Sequence, residues 1–229
     1  MSRASQVANR RWKNLSVWRF LRAFIQHPRH VASVVPSSSA LLSQLQDIEC
    51  LRGATSVVEL GPGTGETTQV LLEALSAEAR LISIELVPEF VSHLQETLLD
   101  PRLQIVQDNA LNLLKIAGCY SESAPDAVIS GVPFSHLSVE QAGSLVRSIH
   151  ACLKPGGTFV AYQFRHDVRE YADELFGLPQ VISVPLNVPP LSIFTWSKTE
   201  SILSAPPRCE CSLSRKRGEI ENHKSRDIR

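Results

Sequence analysis

Val57-Val58-Glu59-Leu60-Gly61-Pro62-Gly63-Thr64-Gly65 is the stretch that decides the fold. The aliphatic residues around one acid read as a buried strand, and the three alternating glycines as a tight turn. A helix begins near Glu66 or Thr67. Glycine permits positive φ and close backbone approach, and a helix start offers N–H groups with no partner in the helix. The predicted result is a ligand-binding turn that opens an α/β unit. A bare strand-to-helix turn with no ligand is the alternative that the rest of the chain must decide against.

Outward from this turn, short β-rich runs alternate with helical ones. Strands are expected at 56–60, 80–86, 103–107, 126–130 and 157–164, with a late pair at 179–185 and 192–197. Between the first two, residues 67–76 set Val70, Leu71, Ala74 and Leu75 on one helical face, and 87–99 repeats apolar residues at helical spacing. Strands that alternate with crossover helices give a parallel sheet covered on both faces.

The composition is that of an ordinary globular chain: 229 residues, 43% hydrophobic and 20% charged. Wholly disordered and collagen-like classes are excluded, and no apolar run approaches the roughly 20 residues of a spanning helix. Five cysteines without a C-x-x-C pair indicate neither a disulfide framework nor a zinc ribbon. The histidines show no ligand spacing, and no metal is expected. A formal net charge of zero conceals three unlike parts. Residues 1–46 hold seven basic residues and no acid; 47–207 hold nine basic and nineteen acidic; 208–229 hold seven basic and four acidic. An acidic body with a basic front end suits a local anionic partner, the phosphates of lipid or RNA, rather than a nucleic-acid surface over the whole domain.

Acids also stand at the next strand ends. Glu85 lies about twenty residues beyond the glycine turn, where a carboxylate accepts from ribose hydroxyls. Asp108 and Asn109 end the third strand, where a side-chain oxygen can accept from an adenine amino group. In Glu59 to Gly65, Glu85, Asp108 to Ala110 and the turn Leu153-Lys154-Pro155-Gly156-Gly157, the sequence resembles class I S-adenosylmethionine-dependent methyltransferases. The resemblance implies a Rossmann-like seven-stranded α/β fold and S-adenosylmethionine as methyl donor. It gives Glu59, Gly61, Gly63 and Gly65 the methionine part of the cofactor, Glu85 the ribose, and Asp108 or Asn109 the adenine. The Leu-Lys-Pro-Gly-Gly turn is a fold marker.

After the fourth strand comes Ser130-Gly131-Val132-Pro133-Phe134, where this fold puts the methyl acceptor. Proline has no N–H and restrains the residue before it, so such a turn presents carbonyls that can align an amine. Ser130, Gly131, Val132 and Pro133 are therefore the candidate catalytic residues, with Tyr162 and His136 as groups that can approach an acceptor. Adenine dimethyltransferases of ribosomal RNA carry an asparagine where Ser130 stands. Upstream, a helix with Phe20-Leu21-Arg22 leads through Pro28-Arg29 to Pro36-Ser37-Ser38, and Asn187-Val188-Pro189-Pro190 precedes the last strand. Together these resemble the bacterial phospholipid N-methyltransferases of the soluble, peripheral type, over about residues 18–198. Val17, Trp18, Leu21, Phe24 and Ile25 form one apolar stripe beside Lys13, Arg19 and Arg22, the pattern of an interfacial helix; a stripe that covers the chain's own cofactor cleft is the alternative.

The expected organisation is a basic amphipathic helical extension at 1–46, a methyltransferase domain at 47–200 and a basic solvated tail at 201–229. The expected substrate is the amine headgroup of phosphatidylethanolamine, and its methylated forms towards phosphatidylcholine. The extension is expected to meet an anionic membrane surface, and the protein to sit in the cytoplasm at the inner face of the cell membrane. An RNA adenine N-methyltransferase and a non-catalytic membrane-binding module are the competing readings.

Overall fold

The computed structural model describes residues 38–120, 123–187 and 190–199. The expected interfacial stripe at 17–25, the Pro-Ser-Ser turn before Ser38, Val188 and Pro189, and the tail from 201 lie outside the described residues.

Seven strands form one sheet: β1 Ser56–Leu60, β2 Arg80–Glu85, β3 Leu103–Gln107, β4 Ala127–Ser130, β5 Thr158–Gln163, β6 Gln180–Val184 and β7 Leu191–Ser197. Their order is β3-β2-β1-β4-β5-β7-β6. The first five are parallel, and β7 runs antiparallel to both β5 and β6. All five residues of β1 are buried, as a central parallel strand with both faces covered requires. Chain order reverses on either side of β1, with β2 to one flank and β4 to the other. A doubly wound sheet takes its ligand at such a switch point, beyond the carboxyl ends of the strands.

Helices α1 Ser39–Gln46, α2 Glu66–Ala74, α3 Pro88–Thr97, α4 Leu113–Tyr120, α5 Val139–Cys152 and α6 Arg169–Phe176 cover the sheet. On one face Leu41 and Leu45 of α1 and Leu71 and Leu72 of α2 pack with Val57, Leu81, Ile129, Val160 and Ile193. On the other, α4, α5 and α6 close over Val58, Ile84, Val128 and Phe159. Helix α1 falls within the span that the charge pattern groups with the basic extension. Its two buried leucines, and a hydrogen bond from the Ser38 N–H to the buried Asn187 side chain (3.3 Å), tie it to the sheet. Among the described residues no helix is long and apolar enough to cross a membrane.

Candidate active site

Parallel register sets Glu59 of β1 beside Ser83 of β2. The Glu59 carboxylate is fully buried and accepts three hydroxyl hydrogen bonds: from Thr67 at one oxygen (2.7 Å), and from Thr68 (2.7 Å) and Ser83 (2.6 Å) at the other. Thr67 and Thr68 belong to the first turn of α2, whose unpaired N–H groups also favour a nearby anion. Burial pushes the Glu59 carboxyl above its ordinary range, the three hydroxyls pull it back, and the charge of Glu85 adds to the rise. With both oxygens so occupied, Glu59 fixes the glycine turn and α2 against the sheet.

Gly61, Gly63 and Gly65 have φ of +71°, +57° and +86°. At Gly65 a Cβ would lie 2.5 Å from a methyl of Leu94, so α3 packs where any other residue would stand. At Gly63 a Cβ would meet nothing within 4 Å among the described residues, so the turn is open at this position. Glu85, 6% exposed, spans this turn and the next element: one oxygen accepts from the Gly63 N–H (3.0 Å), the other from Val87 (2.9 Å). Burial raises its carboxyl above the ordinary value despite these bonds. A carboxylate has about four lone-pair sites, so two N–H donors leave acceptor capacity for hydroxyls. Among the described residues, no lysine or arginine pairs with Glu59 or Glu85.

At the end of β3, Asn109 spends its carboxamide oxygen on the Leu111 N–H (2.9 Å), capping a short 3-10 turn. One Asp108 oxygen accepts from the Asn109 N–H and the Asn112 amide, both at 2.7 Å. These bonds hold the Asp108 carboxyl below its ordinary value, so it is ionised. Its second oxygen makes no hydrogen bond among the described residues, which leaves Asp108, rather than Asn109, with an acceptor available for adenine.

The Ser130 to Pro133 turn leaves β4 beside the glycine turn. The Gly131 N–H donates to Leu60 O (2.9 Å), and a Cβ on Gly61 would touch Val132 at 3.4 Å. Gly131 itself admits no side chain: a Cβ would lie 2.3 Å from the Tyr162 hydroxyl and 3.0 Å from Gly61 O. Ser130 is buried, and its hydroxyl oxygen accepts from the Val132 N–H (3.3 Å). The Val132 carbonyl receives the Gln163 amide at 2.8 Å, and Gln163 Oε1 accepts from the Phe134 N–H at 3.3 Å. Burial pushes the Tyr162 phenol up, and the Glu59 charge pushes it further. It therefore stays protonated as a donor and offers no base. His136 is exposed on the following 3-10 turn.

The structure thus brings Glu59, Gly61, Gly63, Gly65 and Glu85 together with Ser130, Gly131, Val132 and Pro133 on one sheet edge, and Asp108 and Asn109 at the end of β3. Sequence reading passed over Thr67, Thr68, Ser83 and Gln163. The signal for Gln163 was its place next to the carboxyl end of the strand expected at 157–164, the end that borders the ligand crevice in such a sheet. The signal for Ser83 was its register with Glu59, which appears only once β1 and β2 are paired.

Residues 57–157 match the methyltransferase domain family. An ornithine lipid N-methyltransferase of Singulisphaera acidiphila is 28% identical over 181 residues, covering 76% of this chain and 92% of that protein. A ribosomal RNA small subunit methyltransferase A of Nocardia farcinica is 28% identical over 88 residues, 36% of this chain and 28% of that one. Among solved structures, the N-methyltransferase NodS from Bradyrhizobium japonicum WM9, in complex with S-adenosyl-L-homocysteine, superposes with a TM-score of 0.60 at 13% identity, over 76% of this chain and 97% of the other. With an open glycine turn, an acid at the end of β2 and the strand order already in place, residues 57–157 form a methyltransferase domain, and the chain is an S-adenosylmethionine-dependent methyltransferase with the Rossmann-like fold.

Proposed function

We propose that the protein methylates the amine of a membrane-lipid headgroup, phosphatidylethanolamine first and its mono- and dimethyl forms after it, towards phosphatidylcholine. The observation that carries this reading is the unequal reach of the two relatives. The lipid N-methyltransferase aligns along 92% of its length, the ribosomal RNA enzyme along 28%. Ser130, in the place of the asparagine seen in adenine dimethyltransferases, supports the same choice.

When bound, S-adenosylmethionine supplies a methyl group already activated on a sulfonium, so neither a metal nor a covalent enzyme adduct is needed and rate comes from orientation. The glycine turn and Glu85 hold the methionine and ribose parts, and Asp108 takes the adenine amino group. Glu59 keeps the turn in place. The Ser130 to Pro133 turn fixes where an amine rests, and the protonated Tyr162 phenol packs beneath Gly131. The basic, aromatic stretch at 17–25 attaches the protein to an anionic lipid surface at the inner face of the cell membrane. About four apolar side chains at ~1.5–3 kcal/mol each, with ~1 kcal/mol per basic residue, suffice for reversible attachment.

The test is a competition for radiolabelled methyl among vesicles of phosphatidylethanolamine with an anionic lipid, vesicles of ornithine lipid, and ribosomal RNA. Label in phosphatidylethanolamine is expected. Label confined to ornithine lipid would correct the headgroup, and label in RNA would replace the lipid reading with the adenine one.

A further inference from the structure

The two residues that end β5 hold the acceptor turn from below, and neither is part of the glycine turn. Within the turn, the Val132 N–H donates to Ser130 Oγ and the His136 N–H to Pro133 O. Gly131 is pinned to β1 through Leu60 O, and Pro133 contributes no N–H. The Val132 carbonyl and the Phe134 N–H, on either side of that proline, are both taken by one buried side chain, the carboxamide of Gln163, at 2.8 and 3.3 Å. Only one orientation of the amide fits, since a carbonyl needs a donor and an N–H an acceptor. Tyr162, one residue earlier, fills the space beside Gly131.

We infer that Gln163 is the positioning residue for the methyl acceptor: its amide clamps the turn at Val132 and Phe134, and so sets the direction in which the turn's backbone meets the incoming amine. The inference rests on the reading of Ser130 to Pro133 as the acceptor turn. It predicts a division of labour between two strand ends on the same edge of the sheet, with Glu85 governing the cofactor and Gln163 the acceptor. A misplacement of the reacting groups by about 1 Å costs on the order of 100-fold in rate. Loss of the clamp should therefore appear in acceptor turnover while the cofactor still binds.

The experiment compares wild type, Gln163→Leu and Gln163→Glu, with S-adenosylhomocysteine affinity by calorimetry and kcat and KM for the acceptor that wild type labels. Gln163→Leu should lower kcat/KM for the acceptor about 10- to 100-fold and leave cofactor affinity within about twofold. Gln163→Glu supplies the readout that a merely structural role would not move. Its carboxylate can accept from Phe134 but cannot donate to Val132 O, whereas the protonated acid can do both. Activity relative to wild type should then rise as pH falls, by up to about tenfold per unit above the pKa of the new acid. Should Gln163→Leu fail to fold, this ratio decides. Wild-type kinetics in Gln163→Leu, or a Gln163→Glu ratio that is flat with pH, would overturn the inference. Label in RNA instead of lipid overturns the proposed acceptor alone, and the same ratio measured on RNA still judges Gln163.

Discussion

The two edges of the central sheet hold their carboxylates in opposite ways. At the amino-terminal edge, Asp126 meets a cation. Its carboxylate pairs with Lys154 of the Leu-Lys-Pro-Gly-Gly turn and accepts from the N–H groups of Thr55 (2.7 Å) and Ser56 (2.9 Å) and the Thr55 hydroxyl (3.0 Å). Burial alone would raise this carboxyl, but Lys154 and the three other donors outweigh it and bring it to about 2. At the carboxyl-terminal edge, Glu59 and Glu85 receive only hydroxyls and backbone N–H groups, and burial wins. One edge is electrostatically complete. The other keeps two acids without a paired cation among the described residues.

The largest expected effect comes from removing the centre of the incomplete edge. Glu59→Gln keeps the size of the side chain but turns one acceptor into a donor, facing hydroxyls that already donate. Hydrogen bonds to a charged group contribute about 1.5–3 kcal/mol each, so a loss of about 2–4 kcal/mol in chemical denaturation is expected, with cofactor affinity falling as α2 and the glycine turn loosen. Unchanged stability would mean that the carboxylate is not the hub that its three hydroxyls describe.

Glu85→Ala comes next. It removes the acceptor for the Gly63 and Val87 N–H groups and the acceptor proposed for ribose, and calorimetry should show cofactor affinity reduced about 10- to 100-fold, the range for hydrogen bonds to a charged group. The pH dependence sharpens the assignment. The ionised carboxylate is the form that accepts from hydroxyls, and burial has raised its folded pKa above 4.5. Affinity should increase with pH through that raised value in wild type, and not in Glu85→Gln. Folding responds with the opposite sign: above 4.5 the unfolded chain ionises this acid more readily than the folded one, so its contribution to stability declines as pH rises through the window.

The strands and the turns at their ends were easier to read from sequence than the partnerships made across the sheet. All seven strands lie within a residue or two of their expected positions, because apolar runs and glycine or proline boundaries depend on local chemistry alone. Glu59, the glycines and Glu85 were legible for the same reason, standing at fixed distances from one strand and one turn. Thr67, Thr68, Ser83 and Gln163 were not, because each acquires its role from a partner eight to thirty-one residues away in the chain. The assignment of α1 to a separate extension has a similar origin: residues 1–46 lack acids throughout, yet Leu41 and Leu45 answer to the sheet rather than to charge.

The smallest expected effects test the complete edge, and their smallness is the point. Lys154 is half exposed, its side chain retaining 48% of its accessible surface, whereas the Asp126 side chain retains 12%. Pairs with one exposed partner contribute about 0–1 kcal/mol, so Lys154→Met should cost no more than that. Asp126→Asn should cost somewhat more, about 1–3 kcal/mol, since it replaces an acceptor that serves two N–H groups and a hydroxyl at the start of β1. The sign with pH is fixed by the lowered value. Asp126 stabilises the fold fully above its unfolded pKa near 3.8, and that contribution disappears as pH falls through about 2. Denaturation curves between pH 2 and 5 should therefore separate wild type from Asp126→Asn at the upper end and converge at the lower. Neither substitution should move cofactor affinity by more than about twofold, because the strands place a full sheet length between this acid and Gly63. A Lys154→Met or Asp126→Asn protein that folds well but binds cofactor tenfold more weakly would show that the two edges are coupled through the strands, and that the division of the sheet into a closed end and a receptive end is wrong.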